Sequence, residues 1–342
     1  MTTVQIGNRI VGDDQPPLVI PEVGINHEGQ MVKAIQMVDA AAAAGAECVK
    51  FQSHITDFEM LETAIRPEGI STERLWDIMQ RCELSENEER ELKRYSEEKG
   101  LIYLCTPFSR EAADRLEDMD IVAFKIGSGE CNNIPLLQHV ARKGRPIILS
   151  TGMNDLNSVR MSVEAIREWN CPLVLLHCTS AYPAPYELVR LGAITQMQAE
   201  FGLPVGLSDH SMGIYTALGA VALGAAILEK HFTISRGWPG PDNPMSIEPD
   251  ELRELIVGAK AIHDARGGSK TILDIEKPVI DFAYACVVTI APVAKGEVFS
   301  GDNIWVKRPG TGTVMAKDLD SVLGKMARKS IPAGTQLSTS DF

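Results

Sequence analysis

Two hydrophobic textures follow one another along the chain. A short opening pattern, Val4–Val11, sets a Gly7-Asn8 turn between apolar residues and predicts a small hairpin. From Leu18 onward, continuous apolar runs recur at Leu18–Pro21, Cys48–Phe51, Ile102–Cys105, Val122–Ile126, Ile147–Ser150, Leu173–Cys178, Val205–Ser208 and Ile227–His231. Stretches with helical spacing separate them, among them Val32–Ala44, Ser85–Lys99, Ser109–Glu117, Ser158–Trp169 and Ile214–Gly224. An acidic, proline-led helix start, Glu248-Pro249-Asp250-Glu251, follows the eighth run. Unbroken apolar runs are the mark of strands covered on both faces. Eight β-then-α units over roughly 250 residues predict an α/β fold, a (β/α)8 TIM barrel. A doubly wound sheet is the alternative, but no G-x-G-x-x-G follows the first strand.

The rhythm stops near Gly267-Gly268-Ser269-Lys270. Residues 1–275 are expected to form the barrel with its hairpin, 276–283 a linker, and 284–342 a small β-rich domain. That last segment carries short strand patterns at Cys286–Ile290 and Ile304–Val306, and turns at Lys295-Gly296 and Arg308-Pro309-Gly310.

Composition narrows the partners. Hydrophobic residues make up 44% of the 342 positions and charged residues 23%, an ordinary globular balance. A net charge of −13, from 33 Lys+Arg against 46 Asp+Glu, argues against nucleic acid. It leaves room for a small anion, because a few lysines in one cleft can outweigh a distant acidic surface. Seven cysteines without a C-x-x-C pair read as reduced thiols. No signal-peptide pattern opens the sequence, and no run nears the ~18 apolar residues of a membrane helix. A cytoplasmic protein without membrane or nucleic-acid partners is expected.

In a barrel of this kind the chemistry gathers at the C-terminal ends of the strands. Polar residues stand there on nearly every strand: Glu22, Lys50 and Gln52, Thr106, Lys125 with Ser128, Ser150, Ser208, and Glu229-Lys230-His231. Two lysines with several small hydroxyls suit a phosphate monoester, the lysines supplying charge and the hydroxyls directional donors. His210 and His231 end neighbouring strands, about 4.8 Å apart in a sheet. As a pair beside Asp209 they suit one divalent ion with positions left open for substrate. His54, His139 and His263 have no such company and read as surface or packing residues, and His177 as a supporting group rather than a ligand.

At these motifs the sequence resembles the sialic acid (N-acetylneuraminate) synthase family. The resembling stretches are PEVGINHEG (21–29), VKFQ (49–52), CTPFS (105–109), KIGSGECNN (125–133), LSTGMN (149–154), HCTSAYPAPY (177–186), GLSDH (206–210), LEKHF (228–232), GPD (240–242) and WVKRPG (305–310). They run in order along nearly the whole chain. The resemblance implies a barrel joined to an antifreeze-like (SAF) domain, in a homodimer whose small domains reach over the partner's barrel. It implies that Lys50, Thr106, Lys125, Ser128, Ser150 and Ser208 hold phosphoenolpyruvate, and that His210 and His231 bind a divalent ion. Manganese is the usual metal, with magnesium or cobalt as alternatives. Gln52, Tyr182 and Asp242 would face the sugar, and Arg308 would arrive from the other subunit. Glu22 would either orient the reacting water or bind sugar hydroxyls.

The implied reaction condenses phosphoenolpyruvate with N-acetylmannosamine and water, giving the nonulosonic acid and phosphate. Ser180 and the loop Ser235–Pro239 depart from the family's usual pattern, and Trp238 is a candidate to line the sugar pocket. The acceptor is therefore left open to the sugars of legionaminic or pseudaminic acid synthases. Two rivals stand beside this reading. A Schiff-base pyruvate lyase would leave the hydroxyls and the histidine pair idle, and a non-catalytic sugar-binding protein would leave the whole rim unused.

Overall fold

A computed structural model describes residues 2–67 and 71–342. A two-stranded hairpin comes first, β1 (Thr3–Ile6) against β2 (Arg9–Gly12). The strands β3 (Leu18–Gly24), β4 (Cys48–Ser53), β5 (Ile102–Pro107), β6 (Phe124–Ile126), β7 (Ile147–Ser150), β8 (Leu173–Cys178), β9 (Val205–Asp209) and β10 (Ile227–His231) follow. They form a closed parallel barrel in sequence order, with β10 pairing back onto β3. The anticipated (β/α)8 barrel is what the chain forms.

Four strands run further than their apolar runs suggested, β9 by the single residue Asp209. β3 continues past Pro21 to Gly24, β4 past Phe51 to Ser53, and β5 past Cys105 to Pro107. The added residues include Glu22, Gln52 and Thr106, polar groups that face inward, so hydrophobicity alone ends each strand too soon.

Alternation along each strand sorts the side chains. One set (Val19, Val49, Tyr103, Phe124, Leu149, Leu175, Leu207, Leu228) packs outward under the helices in the main hydrophobic core. The other points inward. Its lower layer (Leu18, Ile20, Cys48, Leu104, Ile148, Val174, Leu176) forms a second core together with Val4, Ile6 and Val11 of the hairpin. The hairpin thus plugs the N-terminal end of the barrel. The upper layer is polar, and it is the site.

Helix ends are set locally. Ser85 and Glu88 form a reciprocal capping box, and Ser109 and Asp155 each accept a backbone N–H three residues on. Gly45 closes the helix Met31–Ala44 at φ 91°, a left-handed position that favours glycine.

The compact units divide between Gly267 and Gly268. In the second unit, β11 (Cys286–Thr289) pairs antiparallel with β12 (Ile304–Lys307), around a small core that includes Val287, Phe299, Ile304 and Ile331. The stretch expected as a linker is helical instead: a 3-10 turn, Asp274–Glu276, runs into the helix Lys277–Ala283. Pro278 at its start favours that helix.

Candidate active site

The inward upper layer places Glu22, Lys50, Thr106, Lys125, Ser150, Ser208, Glu229 and His231 around one cavity of about 150 Å³. Ser128, in the 3-10 turn after β6, and His210, just after β9, complete its wall. Lys50 Nζ lies 2.6 Å from Glu22 Oε2 and donates to Thr106 Oγ1 at 3.0 Å. Lys125 Nζ donates to Ser150 Oγ at 2.8 Å and lies 3.5 Å from Glu229 Oε1. Glu229 also accepts from Ser208 Oγ at 3.2 Å and lies 4.0 Å from Lys50 Nζ. Two lysines and two glutamates therefore share a buried, charge-balanced cluster.

Glu229 stands among the strand-end residues read from the sequence but was given no role there. The signal was present: it stands two residues before His231 on one strand, and so on the same face.

The two carboxylates are tuned in opposite directions. Burial, reinforced by Glu229, pushes Glu22 up to about 7 even though Lys50 opposes the shift. Burial would raise Glu229 as well, but Lys125 and Lys50 outweigh it and hold that carboxyl below its ordinary range. Burial lowers Lys125, whereas Glu22 and Glu229 overcome the same effect at Lys50 and hold it above the usual ammonium range. Carboxylates pushed apart in this way divide into a proton carrier and a fixed charge.

Two glycines are required where they stand. Gly24 sits at φ 54°, and a Cβ there would come within 3.2 Å of Glu22 Oε1 and 3.3 Å of Gln52 Nε2, the atoms of the hydrogen bond that joins those residues. At Gly152 a Cβ would lie 2.4 Å from Ser180 Oγ and 2.8 Å from Ser128 Oγ. Its bare backbone lets Gly152 N donate to Ser128 Oγ at 3.0 Å. Ser180 Oγ is buried at the same spot without a partner among the described residues.

A second cavity of about 340 Å³ adjoins the first and shares Gln52, Phe108, Tyr182 and His231 with it. Gln52, Tyr182 and Asp242, the three barrel residues expected to face a sugar, all line it. The Tyr182 ring lies against His210 with centroids 4.2 Å apart, and the His210 and His231 rings are 5.5 Å apart. His210 Nδ1 lies 3.0 Å from the Thr179 carbonyl, which leaves Nε2 as the nitrogen not engaged there. His231 Nδ1 is buried with no hydrogen-bond partner among the described residues, 3.8 Å from Asp242 Oδ2. An unpaired buried imidazole nitrogen is costly unless something else binds it. Burial pushes Asp242 up to about 6.

Three expectations are corrected here. Asp209 does not accompany the histidine pair in the cavity: its position in β9 faces outward, where it pairs with Lys230 at 2.9 Å and accepts from Thr216 and the Ser211 amide. His54 is no isolated packing residue, since it is buried and hydrogen-bonded to Gln52 and Glu59. Trp238 does not line the acceptor cavity; it packs against the outer core with Lys33 over its ring. Arg308, expected to arrive from another subunit, is exposed in the second unit after β12. His177 faces outward, with Nε2 2.6 Å from the Val189 carbonyl and away from the cavity. All seven cysteines are free and buried.

A closed parallel barrel that gathers lysines, hydroxyls and paired carboxylates at its C-terminal rim is a (β/α)8 protein whose polar cleft stands where this fold builds its sites, beside a roomier pocket. The comparisons with known proteins narrow that class. The chain belongs to the NeuB family, whose model matches residues 37–271, and a SAF domain matches residues 284–342. It is 36% identical to an N,N'-diacetyllegionaminic acid synthase of Campylobacter jejuni, covering 92% of this chain and 96% of that one. It is 33% identical to the human N-acetylneuraminate-9-phosphate synthase, over 93% and 90% of the two chains. Among solved structures, an N-acetylneuraminic acid (sialic acid) synthetase from Leptospira borgpetersenii superposes with a TM-score of 0.75 at 32% identity, over 82% of this chain and 95% of that one.

Proposed function

We propose that the chain condenses phosphoenolpyruvate with an N-acetylated amino-sugar aldehyde and water to give a nonulosonic acid and phosphate. The observation that carries this reading is the set of two lysines, two glutamates and several hydroxyls in one small cavity, whose wall also carries His210 and His231 and which adjoins a larger cavity through His231. Lys50, Lys125, Thr106, Ser128, Ser150 and Ser208 would hold the phosphate and carboxylate of phosphoenolpyruvate. Its methylene carbon would point toward the acceptor pocket, where Gln52, Tyr182 and Asp242 hold the sugar.

The histidine pair fits a divalent ion, manganese by family resemblance, because His231 Nδ1 is otherwise orphaned and His210 has a free nitrogen. No three side chains of ligating type converge among the described residues, so such an ion would keep open positions. Bound there, it would supply Lewis-acid polarisation of the acceptor's aldehyde oxygen.

The new C–C bond joins the phosphoenolpyruvate methylene to the aldehyde carbon and leaves positive character on the carbon that bears phosphate. Glu229, held ionised between the lysines, faces that charge. Water adds to the same carbon and gives a proton to Glu22, whose raised affinity suits it to take one up near neutrality. The proton taken by Glu22 is returned to the former aldehyde oxygen, which becomes a hydroxyl. The C–O bond to phosphate then breaks as the ketone forms, the phosphate carrying off the second proton of the water while the lysines offset its charge.

N-acetylmannosamine is the first acceptor to test, and the sugars of the legionaminic and pseudaminic acid synthases are the alternative. Ile25, Met60, Leu75, Ile78 and Met79 line the acceptor cavity, and its described lining contains neither lysine nor arginine, which favours an uncharged sugar over a sugar phosphate. Phosphate release from phosphoenolpyruvate should require a sugar from this panel plus a divalent metal. Borohydride trapping of a pyruvate adduct, with no phosphate release, would favour a lyase instead.

We also propose that Arg308 serves the site of a second copy of the chain in a swapped homodimer, its guanidinium suited to the N-acyl carbonyl. Mixing Arg308→Ala chains with Lys125→Met chains should restore activity, since one of the two composite sites would be intact. Verified subunit exchange without complementation would refute sharing.

A further inference from the structure

An unbroken hydrogen-bonded path leads from the edge of the acceptor cavity to the centre of the anion site. Glu59 Oε2 lies 2.7 Å from His54 Nδ1, and His54 Nε2 lies 3.0 Å from Gln52 Oε1. Gln52 Nε2 then donates to Glu22 Oε1 at 2.9 Å, while Glu22 Oε2 rests 2.6 Å from Lys50 Nζ. The glutamate at the far end decides the direction of the path. Because the Gln52 amide nitrogen donates to Glu22, its carbonyl must face His54, and a carbonyl only accepts. The Glu59 carboxylate on the other side of the ring accepts too. Nε2 therefore donates to the Gln52 carbonyl, and Nδ1 is held against the Glu59 carboxylate.

Stacking keeps the ring in place, since it lies over Phe108 with centroids 4.5 Å apart and planes 13° apart. His54 follows β4 directly, two residues beyond Gln52, and Glu59 comes from the short helix Thr56–Glu59 of the same loop.

We infer that His54, clamped by Glu59 and stacked on Phe108, is a positioning residue that locks the Gln52 amide and through it the carboxyl of Glu22. This inference rests on the proposed condensation only in that Glu22 acts there. A free glutamine amide can turn by 180° at little cost, which would present its carbonyl to Glu22 and reverse the contact. The clamp removes that freedom, and Gly24 leaves the space in which the contact is made. A carboxyl set within a few tenths of an ångström is what orienting one water demands.

His54→Phe keeps the stacking and removes both donors. It should lower kcat about ten- to a hundredfold, with KM for phosphoenolpyruvate and for the sugar unchanged within about twofold. In a Gln52→Ala background the same substitution should cost less than about twofold more, because its route to Glu22 is already cut. Losses that multiply, or a rise confined to the sugar KM, would mean that His54 binds the sugar itself and would overturn the inference. Unchanged kcat would overturn it as well. If His54→Phe fails to fold, Glu59→Gln, which keeps shape and loses charge, should show the same pattern in weaker form. A separate readout needs no turnover: 15N-histidine NMR of the whole protein should show a proton on Nε2 of His54. A His54 that carries its proton on Nδ1 alone in the unsubstituted protein would refute the clamp even if the proposed reaction were absent.

Discussion

Glu229→Gln is expected to lower kcat by about two to three orders of magnitude, the usual scale for losing one preorganised charge in a site, while KM for phosphoenolpyruvate stays level or falls. The sign of the KM change follows from the geometry. Glu229 lies among the groups that receive an anion, 3.5 Å from one lysine and 4.0 Å from the other. For binding alone a carboxylate there is unfavourable, since it repels the incoming charges and competes for both cations. It helps once positive character appears on the carbon that bears phosphate. Gln at this position keeps the size and can still accept from Ser208, so the change isolates charge. Breaking a buried pair costs roughly 3–5 kcal/mol when one partner is removed, so the melting temperature without substrate should fall and recover when phosphoenolpyruvate supplies the missing anion. A variant with normal kcat and a raised KM would show that Glu229 only props the lysines.

Removing divalent metal should abolish turnover, and His210→Ala or His231→Ala should each prevent its recovery with manganese. Polarising the acceptor carbonyl supplies several kcal/mol of transition-state stabilisation, about three orders of magnitude in rate. Titration calorimetry gives a readout independent of turnover: manganese should bind the unsubstituted protein at one site per chain and bind neither variant. His231→Ala should be the more severe for affinity, because its Nδ1 is the buried nitrogen that lacks a partner. Full activity of either variant in metal-free buffer would sink the assignment of these histidines as ligands.

Much of this was legible from the chain, and the gaps have physical reasons. The barrel could be read because eight strands covered on both faces leave eight apolar runs. Lys50, Lys125 and the hydroxyls could be read because a rim position at a strand end is a local property. Asp209 was misread because adjacency in sequence means opposition in a strand: next to His210, it points the other way, to Lys230. Glu229 was passed over for the converse reason, since its neighbour on the inner face is His231, two positions on. His54 lay beyond such reasoning, for its partners Glu59 and Phe108 arrive from two different loops, and only the fold brings them to one ring.

The alternation of inward and outward side chains also bears on how such a protein can change. Deleting one residue within β10 would offer Leu228 and Lys230 to the interior in place of Glu229 and His231, so insertions and deletions should survive only in the loops, and strands can vary only by exchange in place. Depth is limited in the same way. Directly beneath the polar layer lie Ile20, Leu104, Ile148 and Leu176, sealed from below by the hairpin. With Leu18, Cys48 and Val174 below them they form an apolar floor. Lineages that needed a longer acceptor could lower that floor only at the expense of the plug, and the cheaper route to a new substrate lies sideways, through the loops that roof the larger cavity.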